Sequence, residues 1–517
     1  MSRLPVGSRS RLLSVGAVLA GLAAVYGAGT LSHPATLGSS VQLGKASQAA
    51  VSSAIRACPA PGSTGATAAA VVSAAAPPAA GQGSAVVSQL PAGGGVSAGA
   101  PVRTVTTPDV LNWSAVSAAP PPRLTTGGTK TPPGGGGTSG GGVTTTPGRG
   151  GVMVQATGTM AQGLEVEQTG PGGLVTAQCP APGTDFWFVG PGVATAAHID
   201  LYLMNTDSQP ADVQVSALTD SGPLLGSADT GIVVPPHGMV VQSLDKLLST
   251  SRVVALHVST SIGRVAAAVR ETNSAADAGG WLPTAQDPST SLVIPGLPGA
   301  VGSRALYIVV PGTGNAQIKV TAVTAKGSYQ PTGGSGIDLP GDSAVAVQLP
   351  SLSGVAAAIK ISSSVPVTAA ILVPGGATGA PGAISAAAAP VSEQGLAAAN
   401  PAGSTGSAAL VISAPGAAAT VRIVTATSKI SFSGQAATTV NVAAGHTVVT
   451  PIKPPRGAKA AAFSVEVTPA AGSGPVYVGR VITSGGVVRS ILPLTSALTW
   501  VPLPATQDSL AAAGAGG

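Results

Sequence analysis

Apolar and polar residues alternate in short runs from Gly65 to Val116 and again from Val152 almost to the C-terminus, with Gly and Pro between the runs. A period of two sends successive side chains to opposite faces, so the pattern predicts β-strands punctuated by turns. Three strings show it clearly: Leu201-Tyr-Leu-Met-Asn205, Leu306-Tyr-Ile-Val-Val310 and Leu410-Val-Ile-Ser-Ala414, which begin 105 and 104 residues apart. Each is followed at matching distance by a second strand, beginning at Val213, Ile318 and Val421. Further on come strings at His257, Lys360 and Glu466, and then Val/Ala-rich strands at Arg264, Val367 and Val476. The same features in the same order mark a threefold repeat.

A period near 105 is too long for a solenoid unit. It matches the roughly 100 residues of an immunoglobulin-like sandwich, in which alternate strand positions fill a core between two sheets. Pro235-Pro236, Pro311-Gly312 and Pro374-Gly375 fall where strands should stop, since proline removes a ladder donor. Gly280-Trp-Leu-Pro283 is echoed by Ile491-Leu-Pro-Leu494, and Leu292-Val-Ile-Pro295 by Thr499-Trp-Val-Pro502, which puts Trp281 and Trp500 at module edges. The joints near 273–304 and 374–407 read equally as rigid strands or loose connections.

The N-terminus follows another pattern. No charge occurs from Leu12 to Leu31, about the 20 residues a helix needs to cross a hydrocarbon layer, and Arg3, Arg9 and Arg11 precede it. Gly27-Ala28-Gly29 fits a cleavage site only loosely, and the run is long for a signal peptide. The expected architecture is therefore all-β after an N-terminal transmembrane helix. Residues 1–33 form the cytoplasmic tip and signal anchor, and 34–200 a membrane-proximal β domain whose residues 34–57 are a stalk. Residues 201–304, 305–407 and 408–503 form tandem sandwich repeats, and 504–517 a disordered tail. The Gly/Pro/Thr-rich stretch at 120–151 cannot bury enough apolar area to offset its ordering entropy and reads as a flexible insert.

Composition narrows the picture. Charged residues are 8% of the chain, far below the roughly 25% usual for soluble domains. The net charge of +6 includes the three arginines ahead of the apolar run. No later cluster of Lys and Arg with interleaved aromatics appears, so nucleic acid is set aside. The two cysteines, Cys58 and Cys179, each open the string Cys-Pro-Ala-Pro-Gly. In an exported chain they point to one structural disulfide; two free buried thiols are the competing reading, and two isolated cysteines make no zinc site.

Candidate chemistry is sparse. His198-Ile-Asp200 would place an imidazole and a carboxylate on one strand face, but reads more plainly as a solvated strand start. Seven aspartates from Asp185 to Asp245 lack calcium-loop spacing and read as turn formers. Gly137-Thr-Ser-Gly-Gly141 fits a nucleophile elbow only in letters, since it lies in a glycine tract. After Asp342 the only acids are Glu393, Glu466 and Asp508, too few for paired-carboxylate catalysis in the last two repeats. Phe186, Trp187 and Phe188 form the densest aromatic cluster: either core beneath the disulfide or a surface on which sugars stack.

With the anchor, Cys179-Pro-Ala-Pro-Gly-Thr-Asp-Phe-Trp-Phe-Val-Gly190, Asn205, Val234-Pro-Pro236 and Ile294-Pro-Gly-Leu-Pro298 in view, the chain resembles an actinobacterial family of exported proteins of unknown function. Members are signal-anchored, β-rich and often encoded near a family-2 glycosyltransferase. The match covers roughly Ile55 to Pro504, from which this chain departs by its insert. The resemblance implies a cell-membrane location with the bulk of the chain extracytoplasmic, and brings no catalytic residue. The expected function is a non-catalytic cell-envelope scaffold or interaction module, without cofactor or metal. Its partners are the membrane and envelope proteins or polysaccharide. The alternative is a glycan-binding accessory to an envelope glycosyltransferase.

Overall fold

Alternation becomes strand wherever a run has one wet face and one dry one, and the described part of the chain is all-β, without an α-helix. The computed structural model describes residues 47–503 apart from 60–68, 76–82, 94–100, 106–110, 117–149, 171–173, 195–197, 225–230, 273–278, 300–301, 351, 353, 376–381, 404–405 and 459–461. The apolar run from Leu12 to Leu31, the tail at 504–517 and all but the end of the 120–151 insert lie outside these residues. Among the described residues no helix is long and apolar enough to cross a membrane.

The strands, in order, are β1 (Ser47–Ala50), β2 (Ser53–Cys58), β3 (Ala69–Ala75), β4 (Gly83–Leu90), β5 (Pro101–Val105), β6 (Leu111–Val116), β7 (Gly151–Gly158), β8 (Glu165–Thr169) and β9 (Thr176–Gln178). They continue with β10 (Asp185–Pro191), β11 (His198–Met204), β12 (Ala211–Thr219), β13 (Gly222–Pro223), β14 (Ile232–Val234), β15 (Met239–Ser243), β16 (Val253–Ile262), β17 (Ala266–Thr272), β18 (Gly279–Leu282) and β19 (Thr284–Ala285). Next come β20 (Ser289–Leu297), β21 (Arg304–Val310), β22 (Ala316–Thr324), β23 (Gly327–Tyr329), β24 (Ile337–Leu339), β25 (Ser343–Leu349), β26 (Ala357–Val373) and β27 (Ala383–Ala386). The last are β28 (Gly395–Pro401), β29 (Ser407–Ala414), β30 (Ala419–Ala426), β31 (Thr438–Val442), β32 (His446–Ile452), β33 (Ala462–Pro469), β34 (Tyr477–Ser484), β35 (Val487–Leu494) and β36 (Trp500–Leu503). β1 and β36, at the ends of the described chain, pair as a two-stranded sheet.

Pairing sorts β2 to β35, within the unit Ala50–Val501, into four sandwiches of one topology. In each, counted without the short strands β13 and β23, which turn back on β12 and β22, and the short β19 beside β10, the first, sixth, third and fourth strands form a front sheet in that order, and the fifth, second, seventh and eighth a back sheet. Sandwich I has β2-β7-β4-β5 in front and β6-β3-β8-β9 behind; sandwich II has β10-β16-β12-β14 and β15-β11-β17-β18. Sandwich III has β20-β26-β22-β24 and β25-β21-β26-β27, with the long β26 serving both layers, and sandwich IV has β28-β33-β30-β31 and β32-β29-β34-β35. The three strands singled out by the repeat, β11, β21 and β29, are the second strands of II, III and IV. The same strand order in sandwich I makes a fourth copy that periodicity does not reveal. In a constant-type immunoglobulin domain the first strand lies beside the second and the last beside the sixth; here the first lies beside the sixth and the seventh beside the second.

Of the stalk expected at 34–57, residues 34–46 lie outside the described residues and 47–50 form β1. β2 pairs along its whole length with β7, from Ser53↔Thr157 to Cys58↔Val152, so residues 53–57 belong to sandwich I. The joints expected near 273–304 and 374–407 contain strands as well, β18 to β20 and β27 to β28.

Each sandwich has its own core between its layers, such as Val87, Val154 and Leu164 in I, or Leu410, Val421 and Val465 in IV. The sandwiches also pack on one another, the front sheet of each against the back sheet of the next. Ala57, Leu90 and Met153 of I share a buried cluster with Tyr202, Met204 and Met239 of II. Trp187, Val189 and Ala255 of II do so with Tyr307, Val309 and Ala344 of III. Val293, Val323 and Ala358 of III pack with Tyr477 of IV. At that joint Gly296, at φ +82°, meets Gly479 so closely that a Cβ on Gly479 would stand 2.3 Å from the Gly296 Cα; only glycine allows the two backbones this approach. The fourth joint closes the circle: β28 of IV lies against β3 and β8 of I. The eighth strands β9, β18, β27 and β35 meet one another around the centre of this ring.

Candidate functional site

At the hub, residues of all four sandwiches converge on an open cavity of about 390 Å³. Sandwich I supplies Arg56, Glu165 and Gln178, II supplies Phe186 and Asp287, III Ala387 to Ala389, and IV Ser496. Arg56 is there because β2 is the inner edge strand of its sheet, so its inward positions look into the opening between layers. Two residues on, Cys58 bonds Cys179, the residue after β9, across a Cα–Cα distance of 4.5 Å. The disulfide joins the edges of the front and back sheets of sandwich I beside the cavity wall.

Glu165 and Glu167 alternate with the core residue Val166 and so point out of sandwich I on the opposite face. Gln178 Nε2 donates to Glu165 Oε1 at 2.6 Å, and Arg56 Nη2 stands 3.9 Å from Glu165 Oε2. Burial pushes the Glu165 carboxyl above its ordinary range; the Arg56 charge and the Gln178 hydrogen bond offset only part of this.

Next to the hub lies the ring's closing contact. Arg480 of β34 and Glu167 of β8 are both fully buried, with Nη1 2.8 Å from Oε2. Arg480 also donates from Nη1 to the Ala398 carbonyl and from Nη2 to Thr176 Oγ1, both at 2.8 Å. Thr176 Oγ1 and Ser490 Oγ share a proton across the same joint at 2.7 Å. Burial raises Glu167 to about 7, which the Arg480 charge lowers only in part. A second, small cavity of about 40 Å³ adjoins this cluster, lined by Thr176, Gln178, Phe188 and Trp281 among others.

The residues singled out by sequence fall in different places. Phe186, Trp187 and Phe188 are all buried. Phe186 walls the hub cavity, while Trp187 faces sandwich III and stacks on its cross-strand neighbour His257, centroids 4.3 Å apart. The cluster therefore offers no exposed aromatic platform. His198 Nδ1 is 2.8 Å from Asp245 Oδ2, so its partner is Asp245 and not Asp200. Three more of the aspartates serve separate neighbours: Asp185 pairs with His257, Asp207 takes both arms of Arg264, and Asp220 accepts the Arg252 amide. Arg264 holds the Asp207 carboxyl below its usual range. Among the described residues no three of His, Cys, Asp and Glu come together to hold a metal ion. Gly137 to Gly141 lie outside the described residues.

Sequence reasoning missed Arg56, Glu165, Gln178, Glu167 and Arg480. The available signal was a charge inside an apolar strand: Glu165 and Glu167 flank Val166, and Arg480 interrupts Val476 to Ile482.

Known proteins add one finding. The model of a family of unknown function, DUF5719, matches residues 138–453, which take in the end of sandwich I, all of II and III and the first half of IV. No curated protein and no solved structure matches the chain.

Proposed function

The chain belongs to this family of unknown function, and from that premise we propose a non-catalytic, membrane-anchored extracytoplasmic protein that serves the cell envelope as a scaffold or interaction module. The observation that carries this reading is the ring. Four sandwiches with buried joints form one compact unit, and the charged pairs His198–Asp245 and Arg480–Glu167 are committed to one another. The uncharged run from Leu12 to Leu31, with its three preceding arginines, supports an anchor that leaves the rest outside. An actinobacterial origin and a neighbouring glycosyltransferase belong to the same proposal. We read the sandwiches as immunoglobulin-like in their central strands, where the second pairs with the fifth and the third with the sixth.

The test is affinity co-purification of the tagged full chain from membranes of its own cells, with envelope glycans included in the mass-spectrometric readout. A defined set of envelope proteins retained through detergent is the expected result. Recovery of the chain from the soluble fraction without partners, or a catalytic turnover lost on changing His198 or Asp200, overturns it. The second reading, a glycan-binding accessory, needs something other than an exposed Trp187 platform, since that side chain is buried.

A further inference from the structure

We infer that the hub cavity is a binding site for a small, neutral, polyhydroxylated molecule the size of one or two sugar rings. This goes beyond the envelope reading and depends on neither the anchor nor a protein partner. The volume, about 390 Å³, lies in the range of small-molecule pockets, roughly 300–1,000 Å³.

The lining selects the ligand's chemistry. Arg56 and Glu165 face the cavity with 3.9 Å between their nearest charged atoms. A direct charge-assisted hydrogen bond would need about 2.7–2.9 Å. A guanidinium only donates, and an ionised carboxylate only accepts. A hydroxyl does both, so a ligand hydroxyl entering from the cavity satisfies the two groups together. An anionic ligand would meet Glu165 and the exposed Asp287 at the mouth, and a cationic one would meet Arg56. The remaining polar lining, Gln178, Gln286, Thr284, Thr495 and Ser496, carries amides and hydroxyls that donate and accept, and Phe186 supplies the apolar wall that a ring's C–H face requires.

The test is ligand-observed saturation-transfer NMR on the full chain in detergent. The probes are D-glucose, D-mannose, D-galactose, myo-inositol and maltose, with inorganic phosphate and ethanolamine as charged comparisons. Transfer to at least one polyol and to neither charged probe is expected. Ala389 lies exposed at the mouth, so Ala389→Trp blocks entry without disturbing a core; it should abolish the transfer while leaving the thermal midpoint unchanged. Glu165→Gln, which keeps the shape but removes the carboxylate, should weaken binding about tenfold. No transfer to any of the polyols, transfer that persists in Ala389→Trp, or a preference for phosphate or ethanolamine overturns the inference.

Discussion

Arg480 directs its charge at Glu167 and donates two further hydrogen bonds to a carbonyl and a hydroxyl, all out of contact with water. Removing one partner of such a pair strands the other, at a cost of about 3–5 kcal/mol, whereas replacing both by apolar side chains costs far less. Arg480→Met should therefore lower stability by about that amount, and Arg480→Met with Glu167→Met should recover most of it, as read by chemical denaturation. Equal losses in the single and double variants would refute the coupling. Neither residue was legible as a pair beforehand, because 313 positions separate them and each looks like a solvated charge in its own strand. By contrast, the disulfide was legible, since two cysteines admit one pairing.

Strands were legible in proportion to their wetness. β12 shows a buried position at every second residue, as its outer face is partly exposed, and sequence alternation found it at once. The opening strands β10 and β28 are buried almost throughout, and β20 from Leu292 onward, being covered by their own sandwich on one side and the next on the other. Such strands read as unpatterned apolar runs. For this reason the joint regions read as ambiguous in sequence. The bond Cys58–Cys179 acts at this scale too, tying the edge strands β2 and β9 across a separation of 121 residues. Loop-closure entropy sets its contribution at about 4–5 kcal/mol. Changing both cysteines to serine should lower the unfolding free energy by that order and speed proteolysis in sandwich I; an unchanged denaturation midpoint would rule out the stabilising role.

Across the larger unit, acids withdrawn wholly or largely from water set the response to pH. Burial raises Glu167 to about 7 and Glu271 to about 8, above the 4.5 of the unfolded chain. The folded ring thus holds these protons more tightly than the unfolded chain does. The stabilisation is complete below the unfolded value and is lost as pH rises through about 7 to 8. Asp207 has the opposite sign, but its contribution fades only as pH falls through its ordinary range near 3.8, outside this window. The thermal midpoint should be higher near pH 5.5 than near pH 8.5, by a few degrees in scanning calorimetry; a flat or reversed profile would contradict the assignment.

The ring's last joint also imposes a schedule on biosynthesis. A chain made N-terminus first completes sandwich I about 300 residues before its partners at Arg480 and Ser490 exist, and such long-range closures come late in folding. Until then its outer face stands in water with Glu165 and Glu167 ionised. Carboxylates that are costly inside the finished ring keep the waiting intermediate soluble, and the nascent chain carries its own protection against premature association.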